Sequence, residues 1–178
     1  MIVRRKRIQL LAEELLRDAG AKEPPVPLEH ITKQRRIPVY RQTIPDSDIS
    51  GFLIRRGTDI LIGVNDTHSM QRQRFTLAHE IGHILLHKPN VESVHVDRGF
   101  EVRFRDERSS LGVDVEEREA NLFAAELLMP RHFIAKDIAN ISQVDLVDDK
   151  FISRLARRYR VSNQALLFRL ANLGYVKL

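Results

Sequence analysis

The sequence contains no cysteine and no tryptophan, and only 3 Tyr and 8 Phe among 178 residues. Without cysteine there can be no disulfide, no thiol nucleophile and no thiolate ligand. Any bound metal would have to rest on imidazole and carboxylate groups. Long apolar runs are also missing: no stretch approaches the roughly 18 residues that a membrane-spanning helix requires. The start is basic, from Arg4 to Arg7, but Glu13 and Glu14 interrupt what a signal peptide would need as its apolar centre. A soluble, cytoplasmic protein without membrane association is expected. The last scarcity is local. After Asp149 there is no acidic residue, while Lys150, Arg154, Arg157, Arg158, Arg160, Arg169 and Lys177 follow. With a net charge of +5, this tract is either a solvated basic face or a surface for nucleic acid or an acidic partner.

What is present suits one globular domain: 43% hydrophobic and 30% charged residues, in a chain long enough to bury a core. Apolar positions at Ile8, Leu11, Ala12, Leu15, Leu16 and Ala19 predict an amphipathic helix closed by Gly20. Pro24, Pro25 and Pro27 then mark a connector, with a short helix from Leu28 and a strand over 37–42. Two apolar runs, 51–54 and 60–64, flank Arg55 to Asp59 and predict a hairpin whose edge could hold an extended substrate. Asn65, Asp66 and Thr67 offer caps for the next helix. Residues 90–114 alternate at Val94, Val96, Phe100, Val102 and Phe104, which suits a second hairpin or flap. A helix from Val115 ends before Pro130, another covers 133–139, and a helix pair, 151–159 and 163–172, closes the chain. The expected class is α+β. Its parts are an N-terminal helix in 1–20, a core in 28–140 and a helix-turn-helix-like pair in 150–174 of one domain, 1–178.

Inside the helical run after Phe75 lies His79-Glu80-Ile81-Gly82-His83. Residues four apart share a helix face, so His79 and His83 can present two imidazoles to one metal ion, and zinc suits nitrogen donors in a tetrahedron. Glu80 is turned about 100° from His79, away from the ligand face but placed to take a proton from water. A third ligand should come from the next strong helix, where Glu116, Glu117 and Glu119 compete. At about 100° per residue, Glu119 points away from the apolar stripe, and geometry does not separate Glu116 from Glu117. Asn121, four residues after Glu117, could bond the free nitrogen of a liganding histidine, which favours Glu117. The bland alternative is that these acids only charge the first turn of a helix. His30, His68, His87, His95 and His132 are read as ordinary histidines, although His87 shares the ligand face. Tyr40, His132 and the arginines are candidates for oxyanion stabilisation without geometry to choose among them.

The stretch Arg72 to His83, with Glu117-Arg118-Glu119-Ala120-Asn121 running on to Met129-Pro130, resembles the ImmA/IrrE-type metallopeptidases. The resemblance extends to Pro25–Leu28, Ile49–Phe52, Ile62–Asn65, Leu155–Ser162 and Arg169–Gly174, nearly the whole chain. It implies a gluzincin-like zinc peptidase with His79, His83 and Glu117 on the metal and Glu80 catalytic. It also implies a regulatory substrate, a separate helix-turn-helix repressor, since some 20 residues before the prolines cannot hold a fused DNA-binding domain. The rival reading is a peptidase fold that binds DNA or a repressor without cutting. A purely structural zinc site would leave Glu80 idle. Of the would-be recognition helix 163–170, only Asn163, Gln164 and Arg169 could read bases, so packing or partner docking is favoured over DNA contact.

Overall fold

A computed structural model describes residues 2–87, 92–97, 111–139 and 148–177. Among them are seven helices and a four-stranded sheet, an α+β arrangement. The N-terminal helix α1 (Arg5–Asp18) buries Ile8, Ala12, Leu15 and Leu16, the stripe its spacing predicts, and packs against α4. Short α2 (Leu28–Gln34) leads to β1 (Val39–Gln42), then β2 (Gly51–Arg56) and β3 (Asp59–Asn65). Helix α3 (Met70–Leu86) carries the histidine pair, β4 (Glu92–Asp97) follows, and α4 (Leu111–Leu128) is the second long helix. Helices α5 (Arg131–Ile138), α6 (Asp149–Tyr159) and α7 (Asn163–Asn172) complete the fold. No described helix is long and apolar enough to cross a membrane. The expected continuation of alternating residues from Phe100 to Phe104 lies outside the described residues.

The sheet order is β1-β3-β2-β4, with β1 parallel to β3 and the other pairs antiparallel. The expected hairpin is therefore β2–β3, but both its strands are internal. The free edges among the described strands are β1 and β4, so pairing with an extended peptide is open to those two and closed to the hairpin. Leu53 of β2 opposes Ile62 on one side and His95 on the other. Opposed residues share a face, and Leu53 and Ile62 are buried, so His95 belongs to the face that meets the helices.

Two glycines allow close approach. A Cβ on Gly51 would lie 2.5 Å from the Thr76 methyl, so β2 can sit tightly against α3 only without one. A Cβ on Gly82 would meet Phe123 at 3.0 Å and Ala120 Cα at 3.2 Å. Gly82, between Glu80 and His83, thus lets α3 and α4 come together where the polar groups converge. Ser69, not the predicted Asn65 to Thr67, caps α3 by accepting from Arg72 N. Asn65 instead ties the preceding loop, accepting from Thr67 and donating to the carbonyls of Ile44 and Ile49.

The C-terminal pair is joined by a turn in which Arg160 adopts φ 54°, and Ser162 caps α7 by accepting from Ala165 N. Arg169 is not available for reading bases. It is 3% exposed, grips both Glu126 carboxylate oxygens and donates to the Met129 carbonyl.

Candidate metal centre

His79 and His83, one turn apart on α3, turn their Nε2 atoms to within 2.9 Å of each other. Glu117 of α4 places its carboxylate 3.4 Å from His79 Nε2 and 3.2 Å from His83 Nε2. Glu116 is exposed, so tertiary packing separates the two carboxylates that helix geometry could not. Glu119 also departs from expectation. It is 1% exposed, because Arg4 closes over it from the N-terminal segment, donating its backbone N–H at 2.7 Å and its guanidinium as well. A helix wheel treats that side of α4 as solvent. The arm before α1 covers it.

For neutral imidazoles, the hydrogen bonds decide which nitrogen of each histidine carries the proton. Asn121 Oδ1 lies 2.9 Å from His79 Nδ1 and can only accept. His79 is therefore protonated at Nδ1, with the lone pair of Nε2 facing inward. His83 is set by a longer chain. Glu119, held down to about 2 by the Arg4 guanidinium, accepts from His87 Nε2 at 3.2 Å. Neutral His87 then offers Nδ1 as acceptor to His83 Nδ1, 3.0 Å away. This again leaves a lone pair on Nε2 of His83. His87, read from the sequence as ordinary, is a link in this chain.

Two imidazole lone pairs and a carboxylate thus converge, and a third imidazole joins them. His95 Nε2 lies 3.4 Å from Glu117 Oε1, and its ring centroid is 4.2 Å from that of His83. One ligand atom from each of His79, His83, His95 and Glu117 falls within 4.8 Å of all the others. Four donors at 2.0–2.1 Å from a tetrahedral zinc stand about 3.3 Å apart, close to the 2.9–3.4 Å observed. The donor set fits a divalent cation. Nothing in the sequence marked His95, because its place depends on strand register with Leu53.

Charges around the cluster are strongly biased. Burial opposes charge on His79, but the Glu117 hydrogen bond and the carboxylates of Asp97, Glu80 and Glu117 outweigh it, raising its pKa. Burial lowers His83 to about 4, despite Glu117, with His79 and His95 adding repulsion. Burial would raise Glu117, but the His79 and His83 imidazoles beside it, which bond and attract it when they carry a proton on Nε2, take it well below the usual carboxylate range. Glu80 goes the other way. Fully buried, with neither carboxylate oxygen hydrogen-bonded among the described residues, it is pushed by burial to about 8. Arg55, read from the sequence as part of the hairpin turn and as one of the candidate arginines, is instead buried on β2, donates to the His83 carbonyl at 2.8 Å and exerts a charge effect on Glu80.

A cavity of about 600 Å³ adjoins the cluster through Phe75 and Asn121 and continues along Leu122, Ala125 and Phe168. The other candidates for oxyanion stabilisation lie elsewhere: Tyr40 is on β1, at the opposite edge of the sheet from His95, and His132 stacks against Phe133 on α5.

A family profile described as IrrE N-terminal-like domain, a peptidase family, matches residues 32–171. The chain belongs to this family. Its α+β fold and its cluster of three histidines and a glutamate agree with a metallopeptidase-like member of the IrrE-like group, in which metal dependence is typical. A solved structure, a Mycobacterium tuberculosis transcriptional regulator, aligns with TM-score 0.62 at 15% identity, covering 93% of this chain. It shares the fold, and this chain spans 46% of its length. No curated protein sequence matches.

Proposed function

We propose that the protein is a zinc-dependent endopeptidase acting on a partner protein in transcriptional regulation. His79, His83 and Glu117 hold the metal, Asn121 orients His79, and Glu80 carries the proton. The carrying observation is Glu80: a carboxylate buried beside three converging donors, with no hydrogen bond to either oxygen among the described residues. Such a group is costly in a merely structural role and suits proton transfer near neutral pH.

When bound, the cation supplies Lewis-acid activation of water and of a scissile carbonyl. The chain's residues do the rest. Glu80 takes a proton from the attacking water at a carboxylate oxygen and returns it to the leaving amine. The cavity lined by Phe75 and Asn121, the latter bonded to His79, supports a peptide as the molecule that lies beside the cluster. A separate helix-turn-helix repressor is the substrate class this reading favours, given the family and the regulator whose fold this chain shares.

One observation favours a second reading, a non-cleaving module for DNA or a repressor. Lys150, Arg154, Arg157 and Arg160 are all exposed on or beside α6. Glu80→Gln separates the two. Gln keeps the size but cannot accept a proton, so the variant should retain about one zinc per chain and bind its partner. Cleavage should fall by about 10²–10⁴-fold. A Glu80→Gln protein that relieves repression as well as the wild type would replace the peptidase with the binder.

A further inference from the structure

We propose that His95 is a fourth, displaceable ligand, which closes the metal centre at rest and must leave it before a peptide can be cut. This rests on the metal reading above and adds to it a residue on a different element. His79, His83 and Glu117 already make the three-ligand set of a hydrolytic zinc site, whose remaining position must stay open. His95 brings a ring nitrogen within 4.8 Å of a donor atom of each of the three, and it is the candidate for that remaining position. Its Nε2 is shielded from solvent and makes no hydrogen bond within the described structure, yet lies 3.4 Å from Glu117 Oε1. Its ring is 4.2 Å from His83 and 6.4 Å from His79 between centroids. A zinc with four protein donors is coordinatively satisfied, the arrangement of a structural site.

The four donors are not held alike. Three sit on α3 and α4, locked together at Gly82 against Ala120 and Phe123. His95 sits on β4, which among the described strands is an edge strand paired with β2 alone. It is the donor most easily withdrawn. Its departure exchanges a neutral imidazole for a neutral water, with no redox change and no net charge moved. The edge strand thus gates the centre.

The test uses the full chain loaded with Co²⁺ in place of zinc, as wild type, His95→Ala and His95→Asn. X-ray absorption counts imidazole ligands, and acetohydroxamate, a small bidentate chelator, probes for an open position through the visible spectrum. Wild type should show three imidazoles and both variants two. Acetohydroxamate should bind the variants about tenfold or more tighter, because occupancy by His95 lowers the competent fraction. Hydrolysis of an unstructured peptide should rise in the variants. Two imidazoles in wild type and variants alike would remove His95 from the centre while leaving the metal reading intact. Failure of all three proteins to take up metal would instead overturn the reading beneath. A change from three to two with lower hydrolysis would make His95 a helper rather than a gate.

Discussion

Two regions of this molecule bury charged groups between helices, and they do so differently. Where α7 meets α4, Arg169 and Glu126 satisfy each other: both carboxylate oxygens are taken, and a guanidinium nitrogen reaches the Met129 carbonyl. Where α3 meets α4 and β4, the polar atoms point at one another with matching lone pairs, and Glu80 has no hydrogen-bond partner among the described residues. The first arrangement is complete in itself and holds the C-terminal pair in place. The second is a donor set that fits a cation. Buried charge alone does not distinguish a structural site from a functional one. Whether donors and acceptors balance does.

The comparison implies opposite responses to losing a charge. Arg169→Leu strands Glu126 in the core, and breaking a buried pair this way costs about 3–5 kcal/mol. Urea unfolding should show it. A loss below about 1 kcal/mol would mean that water reaches Glu126 and that this region is not closed.

Glu80→Gln should act in the other direction in chelator-treated protein. The folded carboxyl titrates near 8 rather than the ordinary 4.5. Between those values, rising pH ionises Glu80 in the unfolded chain while the folded chain keeps its proton, so folding stability falls as pH rises. Glu117, shifted the opposite way, contributes stability at neutral pH that is lost only on acidification below about 4.5. Below about pH 6.5 His83, held near 4, gives the opposite trend, so the decline in melting temperature of the metal-free wild type should be read between pH 7 and 8. Glu80→Gln should flatten the decline and gain roughly 2–4 kcal/mol at pH 8. A variant as pH-sensitive as wild type would place the burial cost elsewhere.

Smaller effects should grade the supports of the two α3 histidines. Asn121→Ala removes the one acceptor on His79 Nδ1 and should weaken metal binding by about 10–100-fold. His87→Ala should cost less, since water can take its place beside His83. Arg4→Ala should cost least, about tenfold or below, because its side chain is 41% exposed and two links from His83. Competition with a metallochromic chelator measures all three. An Arg4 effect larger than that of Asn121 would reverse the order and make the N-terminal arm the dominant support.

The sequence by itself determined whatever depends on neighbours within a turn or a strand. It determined the α3 helix, the presentation of His79 and His83 on one face, the β2–β3 hairpin, the stripe of α1 and the closing helix pair. These follow from periods of 3.6 and 2, which need no knowledge of what lies opposite. Tertiary structure decided what lies opposite. It separated Glu117 from Glu116, buried Glu119 under Arg4, and turned His87 into a link to His83. It brought His95 to the centre through one cross-strand register, and withdrew Arg169 into the core. Each of these side chains acts through a partner on a different element of the fold, or is linked to one through a neighbour on its own helix. A helix wheel fixes the angle at which a residue leaves its own axis. Which surface meets that angle depends on how the other elements pack, and here Gly82 and Gly51 let α4 and β2 come close enough for the site to form.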